Sequence, residues 1–261
     1  MINLLFSLFS FLFGTIVGSF LNCVIYRLET DRSFLKGRSF CPHCKHTLEW
    51  PDLIPILSFI LLKGKCRYCG KKISFQYPII ELLTGIFSFL FFKPLVLTFT
   101  ISDFLFAIYN FITSCFLIII FFFDLKHYII PDKMIYPAII LSVIYLLFNS
   151  KFYILNFIYS ALGSSLFFLF IYLISKGKWM GFGDVKLAFL MGLFLGFPKI
   201  LVALFLAFSL GAAIGIYLIL TKKKTLKSEV PFAPFLVAGT FSALFFSQNL
   251  ISWYLNLFLI K

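Results

Sequence analysis

Asp184 stands in the stretch Met180-Gly181-Phe182-Gly183-Asp184-Val185-Lys186, between apolar segments that read as membrane spans. A carboxylate at membrane depth is costly and by default marks a functional site. The two glycines let the backbone bend and leave the carboxylate unshielded toward an approaching chain. A second carboxylate, Asp124, ends a long apolar run about sixty residues earlier. Two aspartates that meet could cut a peptide: the ionised one takes a proton from water, the protonated one polarises the carbonyl. Like charges a few ångströms apart share one proton and titrate as a unit. Spacing alone leaves other readings open. Asp124 and Asp132 could be interfacial charges or helix caps, and Asp184 could cap a helix. Both aspartates could also form the proton or cation site of a membrane transporter, which would predict internal repeats or broken midplane helices; no convincing repeat is found.

A second constellation lies nearer the start. Cys41-Pro42-His43-Cys44 and Cys66-Arg67-Tyr68-Cys69 are two C-x2-C knuckles separated by 21 residues. Two such pairs supply four thiolates for a tetrahedral Zn2+. Two disulfides are the competing reading and would need an oxidising compartment. His43 and His46 are bystanders while four cysteines are present, and Cys23 and Cys115, in apolar runs, are core thiols. A zinc ion here folds a loop too small to hold a core of its own.

The elements that must position these groups are membrane helices. The chain of 261 residues is 61% hydrophobic and 13% charged, far from the soluble norm of about half apolar and a quarter charged. The reading is an all-α polytopic membrane protein with about eight transmembrane helices and a cytoplasmic zinc-binding loop. The expected spans are Ile2–Leu28, Tyr77–Phe92, Phe104–Phe123, Met134–Phe148, Phe152–Ser175, a short one at Leu187–Phe197, Ile200–Leu220 and Phe232–Ile260. The first lacks a basic leader and a small-residue cleavage site, so it is kept as a span and not as a signal peptide. Three regions follow: a first helix at 1–28, the four-cysteine loop at 29–75 and a multi-span core at 76–261. Gly14 and Gly18 form a small-xxx-small pair for close helix packing. Glu81, near the start of the second span, suits a helix N-terminus or faces a cavity. Leu53–Leu62 is apolar but too short to span and is placed at the membrane interface.

With the N-terminus outside, the expected inside segments 27–72, 126–133, 176–186 and 222–227 hold 19 of the 23 Lys and Arg residues. Lys93, Lys151, Lys199 and Lys261 fall outside. This is the positive-inside pattern, and it places the cysteine loop, Asp124 and Asp184 on the cytoplasmic side. The net charge of +13 therefore reports topology and not nucleic-acid binding.

Five blocks, in order, resemble the type IV prepilin peptidases. Gly181-Phe182-Gly183-Asp184 matches the GxGD signature of intramembrane aspartyl proteases, and Lys186 with the apolar run after it matches that family's longer G-D-x-K-L form. Asp124 through Pro131-Asp132 looks like the family's D-x6-P-D motif. Gly18-Ser19-Phe20-Leu21-Asn22 with Val24-Ile25-Tyr26-Arg27 looks like its N-terminal block, the cysteine knuckles occupy the place of its zinc loop, and Pro231-Phe232-Ala233-Pro234-Phe235 resembles its P-F-x-P-F segment. Two positions depart from the pattern: Lys126 stands where many members have a second aspartate, and Glu29 where many have proline.

The resemblance implies an enzyme that removes short basic leaders from prepilins and pseudopilins, after a glycine and commonly before phenylalanine. In two-function members the new N-terminus is then methylated with S-adenosylmethionine. It implies Asp124 and Asp184 as the catalytic pair, and Cys41, Cys44, Cys66 and Cys69 as zinc ligands. The methyl-donor site is unassigned, with Asn22, Arg27 and the zinc loop as the places to look. The expected surroundings are the inner membrane and its lipid bilayer, with prepilins as partners and no nucleic acid; the sequence carries no signal for an oligomeric state.

Overall fold

The computed structural model describes residues 2–30, 32–33, 37–96, 100–149, 154–222 and 230–259. Lys223, Lys224 and Lys227 of the expected basic loop lie outside the described residues, as do Lys36, Lys151 and Lys261 of the charge pattern.

Long apolar runs with few internal breakers form helices: α1 Ile2–Glu29, α2 Leu57–Leu61, α3 Gln76–Phe92, α4 Ile101–His127, α5 Asp132–Asn149, α6 Ile154–Ser175, α7 Phe182–Leu195, α8 Lys199–Leu220 and α9 Ala233–Leu259. No β-strand occurs among the described residues, only two isolated bridges. Among the described residues, seven helices are long and apolar enough to cross a bilayer. The short span expected at Leu187–Phe197 is α7, 14 residues long, or about 21 Å at 1.5 Å per residue. The chain is an all-α multi-pass membrane protein.

It forms two compact units, Met1–Ile119 and Ile120–Lys261. In the first, α1 packs along α3. The glycine pair works as expected: a Cβ at Gly14 would lie 2.5 Å from the Thr84 carbonyl oxygen, and one at Gly18 would lie 2.6 Å from the Glu81 Cα. The Ser88 hydroxyl donates to the Ser10 carbonyl at 2.6 Å across the same seam. With no hydrophobic drive between helices in lipid, such close backbone approach and interhelical bonding supply the association.

In the second unit α7 is the hub, in contact with α5, α6, α8 and α9. Ten of its 14 residues are buried, which is why it reads as apolar all round. The Ser164 hydroxyl of α6 donates to the Ala188 carbonyl of α7 at 2.8 Å. A Cβ at Gly192 would lie 2.5 Å from the Ala161 backbone nitrogen, so these two helices touch backbone to backbone.

Two helix ends differ from expectation in a way that matters for function. The apolar run before Asp124 stops at Phe123, yet α4 continues to His127 and is closed by the Tyr128 N–H donating to the Asp124 carbonyl at 2.9 Å. Similarly, α7 begins at Phe182, ahead of Asp184, and not at Leu187. Hydropathy marks where side chains become polar, whereas backbone bonding lets each helix run one turn further. Both aspartates therefore sit on helices.

Candidate active site

Asp124 lies in the last turn of α4, and Asp184 is the third residue of α7. Both belong to the unit Ile120–Lys261. They are buried, with 5% and 9% of their surface exposed, and they interact electrostatically with one another. The structure thus brings together the two carboxylates singled out by the sequence.

Each is held by the N-terminus of a helix. The Gly181 backbone N–H, just ahead of α7, donates to the Asp184 carboxylate. This is the reach-back half of a capping box, from the third helical residue to the N-cap. The Ala233 N–H, at the first residue of α9, donates to the Asp124 carboxylate. The first N–H groups of a helix have no intrahelical partner and carry partial positive charge, so both sites favour an anion. The other oxygen of Asp124, Oδ2, is buried with no hydrogen-bond partner. An unpartnered buried carboxylate oxygen is costly and is suited to hold a proton or meet a water.

Around the pair, Lys186 Nζ binds Asp132 Oδ1 at 2.6 Å and lies over the rings of Tyr136 and Phe182 at 4.9 and 5.4 Å. Asp132 is thus neither idle nor a partner in the dyad: it starts α5 and ties that helix to α7. The glycines act through space and not through bending. Neither Gly181 nor Gly183 is among the positive-φ residues. A Cβ at Gly183 would meet Ile130 Cβ at 3.0 Å, and one at Gly181 would lie 3.9 Å from Asp184 Oδ2.

In the other unit the four cysteines converge. Their sulfurs all lie within 4.8 Å of one another, with Cys41 and Cys69 at 3.9 Å. A tetrahedral zinc with bonds of about 2.3 Å needs sulfurs about 3.8 Å apart, so the donor set fits that ion; the bridges of a disulfide pairing are absent from all six described cysteines. The two knuckles repeat one turn: the Lys45 N–H returns to the Cys41 carbonyl, and the Gly70 N–H to the Cys66 carbonyl, both at 2.9 Å. Both turns end in the left-handed region, at Lys45 and Gly70. Burial raises the Cys41 thiol, but the N–H groups of Cys44 and His43 and the thiols of Cys66 and Cys44 outweigh it and bring it down to about 7. At Cys69 the Lys71 N–H is outweighed by burial and the other three thiols, which push it up to about 11. The four share protons, with Cys41 nearest the thiolate that a metal requires.

Glu81 is engaged structurally, by a loop N–H and not by the start of its own helix. It is the sixth residue of α3, beyond the first turn, and its Oε2 accepts the Ile56 N–H at 2.8 Å. Ile56 has φ of 62°, unusual for a β-branched residue, and this bond secures it. Asn22 donates to the Tyr77 carbonyl at 3.0 Å, while its Oδ1 is buried without a partner. Arg27 donates to the carbonyls of Ser33 and Gly37 at 3.2 and 2.7 Å, anchoring the entry to the loop.

The contributions of Ala233 and Ile56 had no signal in residue type, because both act through the backbone. Only the prolines at 231 and 234, which remove competing N–H groups around Ala233, hinted that this segment is special.

A buried aspartate pair on the helix hub of one unit and a four-cysteine cluster in the other are the candidate centres of this polytopic membrane protein. The model of the Bacterial Peptidase A24 N-terminal domain matches residues 12–94, and that of the Type IV leader peptidase family matches residues 111–216. The chain is 34% identical over 253 residues to the Prepilin leader peptidase/N-methyltransferase of Bacillus subtilis strain 168, covering 95% of this chain and 97% of that one. It is 30% identical to the protein of the same name from Aeromonas hydrophila, covering 95% and 93%. A third relative of that name, from Myxococcus xanthus strain DK1622, is 35% identical over 83% of this chain and 64% of its own. No solved structure matches the chain. The protein belongs to the type IV leader peptidase family. The transporter alternative finds no support in these likenesses.

Proposed function

We propose that the protein is a membrane aspartyl endopeptidase that removes the basic leader of prepilins and pseudopilins at a Gly-Phe-like junction and then N-methylates the new N-terminus. The observation that carries the protease reading is the pair itself: two buried carboxylates, each accepting an N–H from a helix N-terminus, one with an unpartnered oxygen.

Asp124 and Asp184 share the catalytic work. The ionised partner takes a proton from a water, whose oxygen attacks the glycine carbonyl carbon. The protonated partner donates to the carbonyl oxygen, giving a neutral tetrahedral gem-diol. That intermediate collapses as the C–N bond breaks, and the leaving nitrogen takes up a proton from the dyad. The helix N-termini steady whichever carboxylate is ionised, and Oδ2 of Asp124 is free to carry the shared proton. Lys186 and Asp132 hold the end of α5 against α7, so Asp184 keeps its position.

Cys41, Cys44, Cys66 and Cys69 would hold a structural zinc, which fixes the fold of the loop 29–75. S-adenosylmethionine supplies the methyl group in the second reaction. Asn22, with its unpartnered Oδ1, and the loop itself are where this chain would meet the amine or its donor. The positive-inside pattern supports a cytoplasmic loop and cytoplasmic aspartates in the inner membrane. A basic leader is retained on that side by the same rule, which sets the scissile bond at the depth of the dyad.

The test is cleavage of a prepilin-like peptide with a basic leader and a Gly-Phe junction by the detergent-purified protein, read by mass spectrometry. Wild type removes the leader and, with S-adenosylmethionine, adds about 14 daltons, a methyl group on the amine in place of one hydrogen. Asp124→Asn and Asp184→Asn each lose cleavage. Persistence of cleavage in either variant would overturn the paired mechanism.

A further inference from the structure

The cysteine loop carries a surface that neither metal binding nor proteolysis uses. Between the two knuckles, a 3-10 turn at Trp50–Leu53 precedes α2, and the two are packed together. On α2, Leu57, Ile60 and Leu61 are all exposed, Leu61 by 78%. Their i, i+3, i+4 spacing places them on one face. Trp50 is exposed by 76% and Phe75 by 72%. Such a patch, large and apolar, marks an interaction surface.

Its position relative to α3 is set by a part-buried hydrogen bond. The residue that starts α2, Ile56, donates its N–H to Glu81. Glu81 lies five residues into α3, about 7.5 Å along a helix that rises 1.5 Å per residue. The Phe59 ring of α2 also packs on Phe75, one residue ahead of α3, with centroids 5.4 Å apart. The span that contains α3 begins at Gln76. The exposed face of α2 is therefore held at the depth where that span meets the headgroups.

The charge around it is mostly basic, with Glu49 and Asp52 as the acids at the adjoining 3-10 turn. From Leu53 to Ile80 there is no acidic residue, while Lys63, Lys65, Arg67, Lys71 and Lys72 are basic. Arg67 is engaged by Asp52 at 2.7 Å; the four lysines are placed in and around the second knuckle. An apolar helical face with tryptophan nearby and lysines alongside is the pattern of an interfacial, monotopic helix on an anionic membrane.

We propose that α2 inserts its Leu57–Ile60–Leu61 face into the bilayer interface, with the second knuckle's lysines on anionic lipid headgroups, so that the zinc loop lies on the membrane surface. The occupant is lipid, and not substrate or a second copy, because Glu81 fixes the face at the end of a spanning helix. This inference stands apart from the enzymatic reading.

The test uses the full chain in vesicles, with Trp179→Phe and Trp253→Phe leaving Trp50 as the sole tryptophan; both replaced residues are exposed. Lipids brominated at shallow acyl positions should quench Trp50 about twofold, and deep bromines less, as expected for a face buried about 5–10 Å. Quenching should be stronger in phosphatidylglycerol than in phosphatidylcholine vesicles. Leu57→Asp with Leu61→Asp should abolish the quenching while zinc content stays at one per chain, which shows that the loop still folds. Quenching by aqueous iodide with none from bromolipids would overturn the proposal. Shielding that appears only on adding a prepilin peptide, or only at high protein-to-lipid ratio, would overturn it in favour of substrate or a second copy. Equal quenching in both lipids would overturn the part assigned to the lysines.

Discussion

At the scale of single residues, the pair Asp124 and Asp184 shows how burial and backbone amides act together. Among the described residues no cationic side chain faces either carboxylate; each is met by the N–H of a helix N-terminus. An asparagine at 184 can still accept the Gly181 N–H, so Asp184→Asn should keep its fold. Its cleavage rate should fall by about 10²–10⁴-fold, the range for loss of a positioned acid or base; an unchanged melting temperature alongside that loss would separate chemistry from stability. Lys186→Met makes the opposite prediction. Its bridge runs to an Asp132 whose side chain is 60% exposed, and such pairs contribute about 0–1 kcal/mol. The variant should melt within a few degrees of wild type, and a large drop would mean that the bridge carries more than a solvated ion pair. The sequence made the two aspartates legible because a charge in an apolar run is conspicuous. Ala233 was not legible, because a backbone donor leaves no mark in residue type. Glu81 was visible as an anomaly, but its partner Ile56 is apolar and 25 residues away in the chain, so its role as a fastener could be seen only in three dimensions.

Among the elements, helix contacts in this protein are set by where a Cβ is missing. Gly192 and Gly163 lie on neighbouring helices of one unit and make a matched pair for testing this. A Cβ at Gly192 would press on the Ala161 backbone, whereas one at Gly163 meets nothing within 4 Å. Gly192→Ala should destabilise by about 1–3 kcal/mol, as overpacking does. Gly163→Ala should be neutral or stabilising by up to about 1 kcal/mol through helix propensity. Thermal unfolding in detergent reads both, and equal shifts would refute the packing account. The existence of the long helices was plain from hydropathy alone. Their ends were not: α4 and α7 each extend a turn into polar residues, and that extra turn is what carries Asp124 and Asp184. A 14-residue helix such as α7 is also hard to class by length. It is apolar because its neighbours bury it, and its composition alone cannot separate that case from a span that meets lipid.

For the whole molecule, the two candidate centres fall in different compact units. The aspartate pair lies within Ile120–Lys261 and the four cysteines within Met1–Ile119. The charge pattern already set the cysteine loop apart from the apolar remainder, since ten of the 23 Lys and Arg residues fall within 27–72. Where one unit gives way to the next could not be read, because the boundary falls inside the uninterrupted apolar run of α4. If zinc only folds the loop, removing it should spare the dyad. Cys44→Ser with Cys66→Ser halves the thiolate set and should leave a chain without bound zinc, since a loop of this size gains its folding energy from the metal. Leader removal from a prepilin-like peptide should then persist within about threefold of wild type, a difference under about 0.7 kcal/mol in the barrier. Methyl addition to the trimmed peptide should fall to background. Zinc content by elemental analysis, leader loss and the methyl mass gain can be followed on one sample. Parallel loss of both activities would mean that the cysteine loop supports the protease as well, and that the division of labour between the units is wrong. Loss of neither would leave the loop's metal without a part in either reaction and would turn attention to its role on the membrane surface.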